Sequence, residues 1–413
     1  MTSSEPRTGP GATLPDDARR ARSAVAAVFF TNGALFANLV PRYPEIKESL
    51  ELSNAAYGSA IAAFPLGALL AGLLAPALIA RFRSSRVATV GIVLLAVVML
   101  SVSFAPSVAV LAAVFLVGGA VDALVDVAQN AHGLRVQRIY RRSIVNSFHG
   151  LWSVGAVTGG LMGAGAAGLE VPLTIHLGTS AVLFSAVALV ALRFMLPGPE
   201  SSERVPPAGP DASALPVRKG LHGVPRATLT ALTALGVLAV CGALVEDAGS
   251  SWGALWLSGY LGTDGATAGL AFVSLSAAMT LGRLTGDRVV DRLGQRAVVR
   301  GGGVLTAAGM GLTLALPSVP TTLVGFAAAG LGVATLIPAA MHAADELPGL
   351  PVGVGLTVVS WVLRVGFLLS PPIVGLVADA TSLRLGLLIV VVAGLATALC
   401  AGILGGRRPL PRL

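Results

Sequence analysis

The sequence predicts an all-α integral membrane protein of twelve transmembrane helices, arranged as two six-helix bundles related by pseudo-symmetry. Three observations lead there. Twelve apolar stretches have spanning length, 24 of the 28 Lys and Arg fall on one side of them, and the longest polar break divides them six and six. A helix needs ~20 apolar residues to cross a hydrocarbon core of ~30 Å. The first six stretches sit near 22–41, 56–79, 87–105, 107–130, 145–168 and 172–195. The second six sit near 227–258, 265–288, 297–316, 319–342, 352–377 and 383–405.

Orientation follows from charge. With the N-terminus in the cytoplasm, basic residues fall in the tail (Arg7, Arg19, Arg20, Arg22) and in the inner loops Arg81/Arg83/Arg86 and Arg135/Arg138/Arg141/Arg142. The stretches Arg193 to Arg226 and Arg283 to Arg300, and the C-terminal Arg407, Arg408 and Arg412, hold the rest of that group. Arg42, Lys47 and Arg384 fall outside, and Arg364 lies within a span. This is the positive-inside pattern of a multi-pass protein of a bacterial inner membrane, with both termini cytoplasmic.

Composition agrees. Hydrophobic residues make up 54% of the chain and charged residues 12%, against ~25% charged in soluble domains. The net charge of +8 is spread over short inner loops, so topology accounts for it and no nucleic-acid partner is called for. Cys241 and Cys400 each lie in an apolar span, and the five His are scattered, which leaves no disulfide framework, metal site or cofactor motif. Residues 1–21 are polar and rich in Pro, Gly and Arg, and are expected to form a disordered cytoplasmic tail.

The segment 197–225 carries six prolines between Pro197 and Pro216, as expected of a cytoplasmic linker between an N-terminal bundle (22–196) and a C-terminal one (226–406), with a basic tail at 407–413. A shift of 211 residues lays Arg81-Phe82 onto Arg292-Leu293 and Val154-Gly155 onto Val365-Gly366. Two equivalent halves joined in this way form the parallel repeat of a secondary transporter. In span five, Gly155, Gly159 and Gly163 recur at the spacing of a close helix-packing seam. Pro65, Pro338, Pro371 and Pro372 are expected to kink their spans.

The loop after span eight reads Asp287-Arg288-Val289-Val290-Asp291-Arg292-Leu293-Gly294-Gln295-Arg296. Its Asp-Arg-x-Gly-x-Arg core resembles the signature loop of the major facilitator superfamily. The physics suits an inner gate. Gly294 permits a tight turn, Asp291 can accept from a neighbouring helix N-terminus, and the arginines face anionic lipid headgroups. The first-half counterpart, Ala80 to Arg86, has Ala80 in place of the acid and Arg83 in place of the glycine. A longer pattern joins Asp122, Asp126, Gln129 and Asn130 at the end of span four to Asn146-Ser147-Phe148-His149-Gly150-Leu151-Trp152-Ser153 opening span five. It resembles a bacterial branch related to fucose-permease-like carriers, and Glu246-Asp247 to Trp252 resembles its second-half counterpart. The resemblance covers the whole helical region. It implies a monomeric carrier with a cavity lined by spans one, four, seven and ten.

Ionisable groups inside spans cost several kcal/mol and mark candidate sites. Asp122, Asp126 and Gln129 share one face of span four, with Asp122 near mid-membrane. Asp122 is a candidate for proton coupling or solute binding, with a structural hydrogen bond as the competing role. Asp126 and His149 sit nearer the inner end, where a protonatable His can couple to the acid or simply pack. Trp152 can stack on a solute ring or pack, and Asn32 and Asn38 of span one are hydrogen-bonding candidates in the cavity wall. Gly249-Ser250-Ser251 invites a break in span seven just after Glu246-Asp247, which then face either the site or the outer mouth. Arg364 is near mid-membrane and calls for a carboxylate partner, either Glu246 or Asp247, or an acidic solute.

These features point to a secondary active transporter that moves a small organic solute, sugar-like or another polar metabolite, by alternating access with protons as the coupling ion. An efflux antiporter is the runner-up. A nucleotide-driven pump would need Gly-x4-Gly-Lys-Ser/Thr, which the sequence lacks. An integral-membrane enzyme would need a clustered catalytic set, and a receptor a soluble signalling stretch.

Overall fold

The computed structural model describes residues 16–140, 144–198, 224–351 and 353–404, and all regular structure among them is helical. The expectations for residues 1–15, for 199–223 of the linker and for the basic tail lie outside the described residues. Among the described residues, eleven helices are long and apolar enough to cross a membrane. In the first half they are Asp16–Ser49 (span one), Asn54–Phe82 (two), Ser84–Phe104 (three), Val108–Tyr140 (four) and Leu173–Leu192 (six). In the second half they are Arg226–Tyr260 (seven), Gly265–Leu293 (eight), Gln295–Ala315 (nine), Val319–Asp345 (ten), Val354–Ala380 (eleven) and Leu383–Ile403 (twelve). Span five is the helix Val145–Gly168, free of Asp, Glu, Lys and Arg but diluted in apolar character by seven glycines among its 24 residues.

Span one starts earlier than its apolar run. Residues 16–21, read from sequence as part of an irregular tail, are its first turns, with Asp16 and Asp17 placed where the helix dipole favours acids.

Packing repeats between the halves. Span one lies against five, two against four, and three against both four and six; seven lies against eleven, eight against ten, and nine against both ten and twelve. Each pairing in one half has its counterpart in the other. Contacts between the halves run through spans two and eleven and through spans five and eight, again related by the same exchange.

The glycine seam of span five explains its closeness to span one. A Cβ at Gly155, Gly159 or Gly163 would collide with the backbone carbonyl oxygens of Phe30, Ala34 and Asn38, one turn apart along span one. In lipid, association rests on such close approach rather than on the hydrophobic effect.

The repeat also extends to backbone detail. Gly294 ends span eight at φ 86, ψ 147, and Arg83, the residue 211 earlier, ends span two at φ 75, ψ 147. A non-glycine residue there costs roughly 1–3 kcal/mol. The first-half turn is therefore kept although its glycine is gone.

One local expectation is corrected. Span seven does not break at Gly249-Ser250-Ser251. It runs as one α-helix over Arg226–Leu255, where the Ser250 hydroxyl donates to the Glu246 carbonyl at 3.0 Å, and its irregularity is a π-turn at Trp256–Tyr260. That turn stacks Trp256 on Tyr260 at 4.2 Å and lets the Trp256 indole donate to Thr322 of span ten at 3.1 Å. Pro371 and Pro372 stay inside the continuous helix Val354–Ala380, whereas span ten breaks between Val333 and Leu336, just ahead of Pro338 with its missing N–H.

The halves are joined at the end of the bundle opposite the N-terminus. Asp379, at the end of span eleven, accepts from the backbone N–H groups of Asn54 (2.9 Å) and Ala55 (2.7 Å) and from the Asn54 side-chain amide (2.8 Å). Ser53 accepts from Ala56 N–H at 3.1 Å, so the orphan donors at the start of span two are shared between a local cap and the other half. Tyr57 donates to the Ser251 carbonyl at 2.7 Å and meets the Trp252 ring edge-on. The Asp379 and Tyr57 hydrogen bonds thus cross between the halves.

Candidate functional site

A cavity of about 340 Å³ lies between the halves. Its wall draws on spans one, two, four and five from one side and on seven, eight and eleven from the other. Span ten, expected from the resemblance to contribute, supplies none of the lining residues; it is held behind span eight and against span nine. Much of the surface is aromatic or aliphatic, including Phe36, Tyr43, Phe64, Phe115, Phe272 and Phe367. The polar groups are few and converge from opposite sides.

On the first-half wall, the residues singled out in spans one, four and five form a connected set. Asn32 donates to Asp122 Oδ1 at 2.8 Å, and its own Oδ1 accepts from the Trp152 indole at 2.9 Å and from Gln129 at 3.4 Å. Gln129 also reaches Asp126 Oδ1 at 3.4 Å, and Asn130 donates to that oxygen at 3.0 Å. Because the Asn130 amide nitrogen is engaged there, its oxygen accepts from His149 Nε2, 3.1 Å away. Asp122, Asn32 and Trp152 line the cavity, whereas the Asp126–Asn130–His149 end lies toward the N-terminal face. Trp152 is thus fixed by its indole N–H with its ring at the cavity. Asn146 is exposed and joins none of these bonds among the described residues.

On the second-half wall, Glu246, Asp247, Ser250 and Ser251 come from one turn of span seven. Asp247 is buried, its Oδ1 accepting from the Ser251 hydroxyl at 2.9 Å while Oδ2 has no hydrogen-bond partner among the described residues. Both acids face the cavity rather than an outer mouth.

The expected pairing of Arg364 with one of them is corrected. Glu246 pairs with Arg283 of span eight at 3.4 Å, because spans seven and eight present these residues to each other. Arg364 lines the cavity, is exposed to it, and among the described residues makes no ion pair or hydrogen bond. Its counterpart 211 residues earlier, Ser153, also lines the cavity.

The signature loop stands apart from this site. Asp287, Arg288, Asp291, Arg292 and Arg296 are exposed around the Gly294 turn, at the end of the bundle where the N-terminus lies.

Sequence reasoning missed one polar cluster, and Asn38, expected in the cavity wall, is buried in it instead. Arg42, taken as an outer-loop exception, is buried at 2% exposure. It bonds Glu45 (2.7 Å), His176 Nδ1 (3.3 Å) and the Val171 carbonyl (2.8 Å), and His176 Nε2 reaches Asn38, which donates to Ser180 at 2.6 Å. The donors fix His176 as the neutral Nε2–H tautomer. This cluster ties span one to span six and is fully satisfied, which marks it as structural. A charge two residues past an apolar run was the signal available, and it does not distinguish a loop from a buried anchor.

Fold and site together define a multi-pass helical carrier, two repeated halves around a central polar-on-apolar cavity. The chain belongs to the Major Facilitator Superfamily, whose family model matches residues 25–245 and 237–412. It is 30% identical over 379 residues to the uncharacterized transporter y4wD of Sinorhizobium fredii, covering 91% of this chain and 95% of that one. Among solved structures, it is similar to a bacterial homologue of the human lysosomal transporter Spinster in an inward-facing and occupied conformation (TM-score 0.72, 14% identity, 95% and 97% of the two chains). It is also similar to the transporter FucP in the outward conformation (TM-score 0.58, 14% identity, 92% and 97%).

Proposed function

We propose that this protein is a proton-coupled secondary transporter of the bacterial inner membrane that moves a small polar organic solute by alternating access. The observation that carries the proposal is the central cavity, lined by both halves and joined across at one end. With the N-terminus, the 197–225 linker and the C-terminus in the cytoplasm, as the basic residues argue, the joined end is periplasmic. The conformation is then inward-facing. Rocking the halves about the span two/eleven and five/eight contacts would break the Asp379 and Tyr57 bonds and open the cavity to the other side.

Asp122 is the proton-coupling group in this scheme. It lies in a span, touches the cavity, and is oriented by Asn32, which also holds Trp152. Gain or loss of its charge changes the Asn32 bond and with it the Trp152 ring, so protonation and solute contact act through one amide. FucP and similar folds support a carrier, and the substrate is argued from this cavity alone.

The test is Asp122→Asn in proteoliposomes, with a solute first identified by thermal-shift screening. Accumulation driven by a pH gradient should vanish while solute exchange persists, because exchange moves no net proton. Undiminished pH-driven accumulation in the variant would remove Asp122 from coupling.

A further inference from the structure

We infer that the transported solute is a small organic carboxylate, held at its acid group by Arg364. The inference rests on the transporter reading above. The charges of the cavity wall divide unevenly. Glu246 and Arg283 satisfy each other at 3.4 Å. Asp122 Oδ1 is taken by Asn32. The guanidinium that faces the cavity with no hydrogen bond or ion pair among the described residues is that of Arg364, whereas the second oxygen of Asp247 is closed off from the cavity.

An Arg keeps its charge at any accessible pH, and near mid-membrane it needs a counter-charge or water. Its planar fork matches a carboxylate with two parallel hydrogen bonds. A single guanidinium balances a single charge, which favours a monoanion over a dianionic phosphate ester. The aromatic lining of the cavity accommodates the body of the solute. Uptake of such a monoanion with a proton on Asp122 adds one negative and one positive charge to the site, so the loaded carrier gains no net charge over the empty one.

The experiment measures the Tm of the purified full-length protein with matched probes: galacturonate against galactose, lactate against propane-1,2-diol, and galactose 1-phosphate as the dianion. A ligand that binds the native state alone raises Tm, by about 2 °C or more near saturation. At least one carboxylate should do so while its neutral partner does not. Arg364→Gln should abolish the shift while its own cooperative melt shows that it is folded, and Arg364→Lys should retain a weakened shift. A carboxylate shift of undiminished size in Arg364→Gln, a larger shift with the phosphate than with galacturonate, or no shift with any carboxylate overturns the proposal. If galactose or the diol shifts Tm and is carried into proteoliposomes, the anion assignment falls while the transporter reading stands. If no probe of either kind is bound or carried, both fall.

Discussion

Removing the Asp379 carboxylate should unlatch the joined end of the bundle. Asp379 accepts two backbone N–H groups and one side-chain amide from the first turn of span two, at 2.7 to 2.9 Å. In an open state these donors would turn to water, so the relevant cost is that of losing a helix cap, about 0.5–2 kcal/mol. Charge-assisted bonds are stronger in isolation, but this group is exposed and the lower figure applies. An equilibrium between the two faces should therefore move roughly two- to thirty-fold toward the state open at that end in Asp379→Ala. Asp379→Asn, which keeps one acceptor, should fall between. The assay is pulsed EPR between spin labels at Glu48 and Arg384, exposed on opposite halves at that end, in a background lacking Cys241 and Cys400. A longer-distance population should grow in the Ala variant. An unchanged distance distribution in Asp379→Ala, with unchanged Tm, would show that the latch carries no energy.

Two further outcomes follow from local geometry. Arg83→Gly should raise Tm, because relief of ~1–3 kcal/mol of backbone strain exceeds the ~0.5–1 kcal/mol that glycine adds to unfolded-chain entropy; a lower Tm would mean the arginine is anchored by something other than its turn. Asp264 caps span eight, and the Thr267 backbone N–H followed by the Thr267 hydroxyl hold its carboxyl below the ordinary carboxylate range. A depressed folded value means stabilisation that is present above the unfolded pKa of ~3.9 and lost as pH falls through the folded one. Asp264→Ala should thus lower Tm at neutral pH, with the gap to wild type shrinking on acidification below pH ~4; a pH-independent gap would contradict the cap's charge.

How much of this was legible in the sequence depends on how local the cause is. Span number and the two-half repeat rest on composition within single segments, and they emerged intact, down to Arg83 standing where the repeat places Gly294. The Asp122–Asn32–Trp152 set was partly legible, since a polar residue inside a span has few options, and the members were named although their bonds were not. Partners across helices were not legible. Whether Glu246 meets Arg283 or Arg364 depends on the rotation of spans seven, eight and eleven about their axes, which packing sets. The Asp379 latch joins residues 325 apart in sequence, with no local pattern to announce it. The span-seven break was inferred from glycine and serine, but the buried surroundings and the Ser250 back-bond hold the helix continuous.

Alternating access requires that one cavity face each side of the membrane in turn, which can be tested without knowing the solute. Ser276 lines the cavity from span eight. In a background lacking Cys241 and Cys400, Ser276→Cys should react with a membrane-impermeant thiol reagent in inside-out vesicles, and more slowly in right-side-out ones. Adding Asp379→Ala should speed the second reaction and slow the first. Labelling from one side alone, at a rate untouched by Asp379→Ala, would contradict alternating access about this site.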